Sequence, residues 1–123
     1  MTDLACPCGS GAGYDACCGR WHAGEAAPNA EALMRSRYSA FVRGLAGYLI
    51  ETWYPSTRPS TLALDAGQRW LGLDVRAHCE DGDRATVEFV ARSKQAGRAT
   101  RLHETSRFVR EGGRWYYVDG DVN

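Results

Sequence analysis

Residues 70–91, WLGLDVRAHCEDGDRATVEFVA, decide the fold, because within them the spacing of apolar residues drops to two. Leu71, Leu73, Val75, Ala77 and Cys79 alternate with Asp74, Arg76, His78 and Glu80, which is how a strand with one face on a core reads. Turn residues Asp81, Gly82 and Asp83 follow, and Ala85, Val87, Phe89 and Ala91 then resume the alternation. A polar turn near Ala96 and Gly97 leads to a third strand through Leu102, Ser106 and Phe108, and Gly112 with Gly113 reverses the chain into a fourth. On this parity Cys79 is expected in the core.

Upstream of Trp70 the period is near 3.6. Leu33, Met34, Tyr38, Phe41, Val42 and Leu45 recur at helical spacing, with Asn29 placed as an N-cap after the connector GEAAPNA. Gly44 and Gly47 interrupt the pattern. A second short helix carrying Tyr48, Leu49, Thr52 and Trp53 is predicted to end before Pro55, and a third between Thr61 and Gln68. Helices followed by hairpin-linked strands predict an α+β domain, about three helices packed on one face of a curved four-stranded antiparallel sheet. At 123 residues the chain holds one such domain, expected over residues 25–123, and a small appendage over residues 1–24.

That appendage carries Cys6, Cys8, Cys17 and Cys18 within CPCGSGAGYDACCG. Four thiols so close in sequence suit the tetrahedral, thiolate-rich sites that zinc prefers. Pro7 fixes its own φ between the first pair, and Gly9, Gly11 and Gly13 permit the turns that bring the chain back to the second. His22 follows Cys18 by four residues, one helical turn, and is the alternative fourth ligand in place of one of the last two cysteines. A disulfide knot would require an oxidising compartment, yet neither a basic n-region nor an apolar h-region stands at the N-terminus. Asp3 spoils the likeness of Leu4, Ala5 and Cys6 to a lipoprotein cleavage site. The glycines lack the leading strand and the trailing Gly-Lys-Ser/Thr of a phosphate loop.

CPCGSGAGYDACCG resembles the SEC-C motif, named from the C-terminal tail of the SecA translocation ATPase. In that family the last ligand is often His, where this chain has Cys18. The runs AEALMRSRYSAFVRG, LIETWYP, RWLGLDV and LHETSRFVREGGRWYYVDG are similar to the YchJ-type bacterial proteins, so nearly the whole chain is covered by the resemblance. It implies a SEC-C motif on a cone-shaped domain like that of nuclear transport factor two, and no defined activity. It also implies docking, since the similar zinc tail of SecA contacts the chaperone SecB.

Such a cone has a pocket between its helices and the concave sheet face. Glu104 shares the parity of Leu102, Ser106 and Phe108, which puts a carboxylate in an apolar setting, either as the partner of Arg37 or Arg35 on the first long helix or as a ligand-binding or acid–base group. Asp119, Trp53, Tyr38, Tyr116 and Tyr117 are further pocket candidates, and His103 is expected on the opposite face. No local motif specifies a reaction, so no catalytic residue is assigned. Arg35, Arg37 and Arg43 are expected on a solvated helix face, with a small basic patch as the alternative.

Basic and acidic residues number 15 each and are interspersed beyond Arg20, which leaves out the basic field of a nucleic-acid binder. No apolar run is long enough to span a bilayer. The leading expectation is a cytoplasmic bacterial accessory protein that binds zinc through its four cysteines and a protein partner through the same module. The competing one is a small-molecule-binding protein or enzyme using the cone pocket around Glu104.

Overall fold

In the computed structural model, which describes residues 4–65 and 67–123, the chain runs through a single 3-10 turn, three helices and then four strands. The helices are α1 (Cys18–His22), α2 (Ala30–Arg43) and α3 (Ala46–Glu51). The strands are β1 (Arg69–Asp81), β2 (Arg84–Gln95), β3 (Arg98–Glu111) and β4 (Arg114–Val122), in the order β1-β2-β3-β4 with every neighbouring pair antiparallel. This is the expected α+β architecture.

Helix α2 starts where its cap residue dictates, the Asn29 side chain accepting from the Ala32 amide at 2.7 Å. It stops at Gly44, whose φ of +73° few other residues adopt at low cost. Gly47 lies inside α3 instead of interrupting the chain. The third helix is α1, ahead of α2, and the described residues of Thr61–Gln68 contain none. There the Asp65 carboxylate accepts from the Gly67 amide at 2.9 Å, a local turn that competes with helix.

The core lies between α2 and the concave face of the sheet, where Leu33, Met34 and Tyr38 meet Val87, Phe89 and Phe108. The free edge of β4 is partly covered: the Tyr117 amide donates to Thr52 O at 2.8 Å and the Tyr54 amide to Tyr117 O at 2.7 Å.

Two bulges in β1 overturn the simple parity of that strand. Trp70 pairs with Ser93 and Gly72 with Arg92, so Leu71 is extra, and it is 53% exposed. Val75 pairs with Phe89 and Ala77 with Glu88, which makes Arg76 the second extra residue. Beyond it His78 and Glu80 take the concave side, while Ala77 and Cys79 turn to the convex side. Cys79 is therefore exposed and not a core residue.

Candidate functional site

The segment before α2 folds around its cysteines. An antiparallel bridge joins Ala5 to Gly13, and the Cys6 amide donates to Ala12 O at 2.9 Å, closing a loop in which Gly9 and Gly11 have φ of +79° and +89°. Gly13 is not left-handed but sits extended in that bridge. The 3-10 turn at Tyr14–Ala16 then delivers Cys17 and Cys18 to the same point. Gly19 allows this fold, since a Cβ there would come within 2.7 Å of Tyr14 O.

The four Sγ atoms of Cys6, Cys8, Cys17 and Cys18 all lie within 4.8 Å of one another, a group able to hold a metal ion. Cys6, Cys8 and Cys18 are buried, and Cys17 is partly exposed with its sulfur 3.2 Å from Ser10 Oγ. Crowding splits their acidities. Contact with Cys18 holds the Cys8 thiol down to about 4, the same contact and burial push Cys18 up, and burial raises Cys17. A cation among them removes this conflict, because all four can then be thiolates.

His22 stands outside the thiol group with both ring nitrogens engaged. Nε2 is 2.8 Å from Ser36 O, so it carries the proton and donates, and Nδ1 accepts from the Tyr14 hydroxyl at 2.5 Å.

Helix α2 carries the module on one flank. Arg35 donates from Nη1 to Cys8 O at 3.0 Å and from Nε to Glu31 at 3.0 Å, Ser39 Oγ is 3.6 Å from Cys6 Sγ, and the Arg43 guanidinium lies 4.2 Å from the centre of the Tyr14 ring. Of the three arginines of α2, Arg37 is buried, Arg35 is paired with Glu31 and Arg43 is exposed, so they do not share one solvated face. The opposite flank of α2, a half-turn round at 3.6 residues per turn, presents Met34, Arg37, Tyr38 and Phe41 to a cavity of about 160 Å³.

That cavity brings together Glu104, Trp53, Tyr38 and Tyr117, four of the residues expected there. Asp119 is not among them. Val118 is an extra residue between the pairs Phe108–Tyr117 and Arg107–Asp119, and this bulge turns Asp119 to the convex face, where Arg107 donates to it at 2.5 Å. Tyr116 also points away, against Tyr54 with ring centroids 6.2 Å apart. His103 lies on the convex side as expected, 2.6 Å from Glu88.

Glu104 forms no ion pair with Arg37 or Arg35 among the described residues. Arg37 instead donates from Nη1 to Leu49 O at 2.8 Å and Thr52 Oγ1 at 2.6 Å, with its guanidinium 4.6 Å from the Tyr117 ring centre and 5.3 Å from that of Trp53. Burial lowers its pKa to about 10, so it stays a cation at neutral pH. Glu104 Oε2 accepts from Ser106 Oγ at 2.5 Å and from the Tyr117 hydroxyl at 3.4 Å. Burial, with the Glu104 charge behind it, pushes that phenol up to about 12 and keeps it a donor. Gly120 makes room for the carboxylate: a Cβ there would stand 2.7 Å from Glu104 Cδ.

Sequence reasoning missed the two buried serines of α2, Ser36 and Ser39, and the use of Gly120. The serines had a signal, small side chains three apart on one face of the helix, which allow close approach of another segment.

Comparisons with known proteins agree with this geometry. A family model described as "YchJ, middle NTF2-like domain" matches residues 29–120, and one described as "SEC-C motif" matches residues 5–20. A UPF0225 protein of Bordetella parapertussis is 62% identical, over 98% of this chain and 95% of its own. The solution structure of a SEC-C motif containing protein from Rhodopseudomonas palustris superposes with a TM-score of 0.86 at 38% identity, covering 96% of this chain and 98% of that one. The crystal structure of another, from Psychrobacter arcticus, gives a TM-score of 0.80 at 31% identity, over 98% and 83% of the two chains.

Proposed function

Because this chain belongs to the YchJ family, with a SEC-C motif ahead of an NTF2-like domain, we propose that it is a cytoplasmic bacterial accessory protein that binds zinc and docks on another protein through its SEC-C module. The observation that carries this reading is the convergence of four thiols, three of them buried, against Tyr14, Trp21, Leu73 and, from α2, Ser39. Thiolates at a Zn–S distance of about 2.3 Å stand about 3.8 Å apart in a tetrahedron, and Cys8 Sγ is 3.7 Å from Cys17 Sγ. Cys6, Cys8, Cys17 and Cys18 together would fill the coordination of zinc, which there supplies a cross-link and not an open position for chemistry. With His22 committed to Ser36 and Tyr14, the four-cysteine set is the one we propose.

A loop fixed in this way presents its outer residues rigidly. Gly9, Ser10, Gly11 and Ala12 are exposed, and beside them Leu4 is 76% exposed. A preorganised loop costs less ordering entropy on docking than a mobile one. Thiolates that hold zinc suit a reducing compartment, and no helix of the described residues is long and apolar enough to cross a membrane.

The test uses purified protein and lysate. Elemental analysis should find about one zinc per chain, as one four-ligand site requires. A specific protein partner recovered with the intact chain should be lost with the Cys17→Ser, Cys18→Ser variant and kept with Glu104→Gln. Equal recovery with all three would remove the docking role.

A second reading is supported by Glu104, an acidic group on the wall of an apolar cavity, with no paired cation among the described residues. On that reading the cone holds a small molecule.

A further inference from the structure

Within the cavity reading just given, on which this inference rests, we propose that the cone takes a small planar aromatic molecule carrying a ring N–H donor, held between aromatic walls with that N–H on Glu104. Three observations carry it. The first is the wall. Tyr38, Phe41, Trp70, Phe89, Phe108 and Tyr117 supply ring faces and edges on several sides of one cavity, and Trp70 already packs on Tyr38 and Phe41 with centroids 5.6 Å away in each case. Such walls favour another flat ring in stacked or edge-on contact.

The second is the size of the space. At about 160 Å³ it is close to the roughly 150 Å³ apolar cavity known to accept benzene. A molecule of one or two fused rings fits and a steroid-sized one does not.

The third is the polar arrangement. Glu104 uses only Oε2 within the protein, for Ser106 and Tyr117, and Oε1 makes no hydrogen bond among the described residues. Both partners of Oε2 are donors from the sheet, so the carboxylate is held in place and its second oxygen is the acceptor left to the cavity. Gly120 keeps the space that this rotamer needs. Arg37, fixed to Leu49 O and Thr52 behind the Trp53 and Tyr117 rings, puts a permanent positive charge on the same wall. That charge opposes a cationic ligand, so a neutral N–H is favoured over an ammonium.

Indole and indene test the proposal directly, because they share a shape and differ by the N–H. Each is titrated into zinc-loaded, full-length, 15N-labelled protein, and amide shifts are followed by NMR. Indole should shift Glu104, Ser106 and Gly120 and bind roughly tenfold or more tighter than indene, as expected for a hydrogen bond to a charged acceptor. Glu104→Gln should shrink that preference, since its amide is a neutral acceptor. Equal binding of the two probes in the cavity would overturn the donor recognition while leaving the cavity a small-molecule site. Failure of both to shift any cavity residue would overturn the cavity reading as well. The wild-type comparison needs no substitution, so it decides the question even if the variant folds poorly.

Discussion

At the scale of single residues, the environment of Glu104 makes a stability experiment informative. Its hydrogen bonds come from neutral hydroxyls of Ser106 and Tyr117, so Glu104→Gln strands no cation. We expect its urea midpoint to correspond to a change within about 1 kcal/mol, against the roughly 3–5 kcal/mol that follows when one half of a buried ion pair is removed. A loss in the larger range would mean that Arg37 depends on this carboxylate after all. Cys79 is exposed, and with metal bound it should alkylate at the rate of a free thiol while the other four are protected. Slow labelling would put it back inside. The thiol quartet and the inward parity of Glu104 were legible in the sequence, because ligand spacing and strand alternation are local properties. The partner of Glu104 was not, since periodicity says which face of α2 is apolar and nothing about what lies opposite Arg37. Asp119 and Cys79 were misplaced for a shared reason: each follows a bulge, at Val118 and Arg76, and a single unpaired residue reverses every side chain after it.

At the scale of elements, the turns follow their chemistry with one exception. Gly112 and Gly113 both have positive φ, as a two-residue hairpin of this hand requires, but the equivalent turn between β2 and β3 places Ala96 at φ +51°. Ala96→Gly should relieve that strain and raise stability by about 1 kcal/mol, read as a higher Tm in calorimetry. A lower Tm would mean the turn is not strained. The join between α1 and α2 depends on His22, whose burial, with the nearby Arg43 charge, holds its pKa below the ordinary value near 6.5 although Ser36 O pulls the other way. Below about pH 6.5 the unfolded chain takes up a proton that the fold resists, so this site loses stability as pH falls and contributes no slope above that range. The four N-terminal thiols titrate in wild type and His22→Gln alike, so the difference between their stability–pH curves isolates the histidine. The variant should be the flatter of the two below pH 6.5, and parallel curves would count against it. The cap at Asn29 and the stop at Gly44 were readable because both are local signals. The helix expected at Thr61–Gln68 failed because the Asp65 turn satisfies the backbone first.

Over the whole molecule, the SEC-C module is built into the fold and not appended to it. Three of its thiols are buried among Ser39, Trp21 and Leu73. Chelation should therefore lower the single cooperative Tm of the protein, with a loss on the order of 4 kcal/mol if free zinc had stood a thousandfold above its Kd. An unchanged Tm with only the first two dozen residues loosened would show an independent appendage. That division into a module and a cone, natural from composition, hides the role of α2, which has no counterpart in a linear reading. One flank of this helix holds Cys6 and Cys8 through Ser39 and Arg35, and the other lines the cone with Met34, Arg37, Tyr38 and Phe41. A helix that touches both the thiol group and the cavity gives the two proposed sites a physical route by which they could be coupled. If occupancy of the cone tightens the hold on zinc by some factor, zinc must tighten the hold on the occupant by that same factor, because linkage between equilibria is reciprocal. Metal supply would then be read out as ligand affinity.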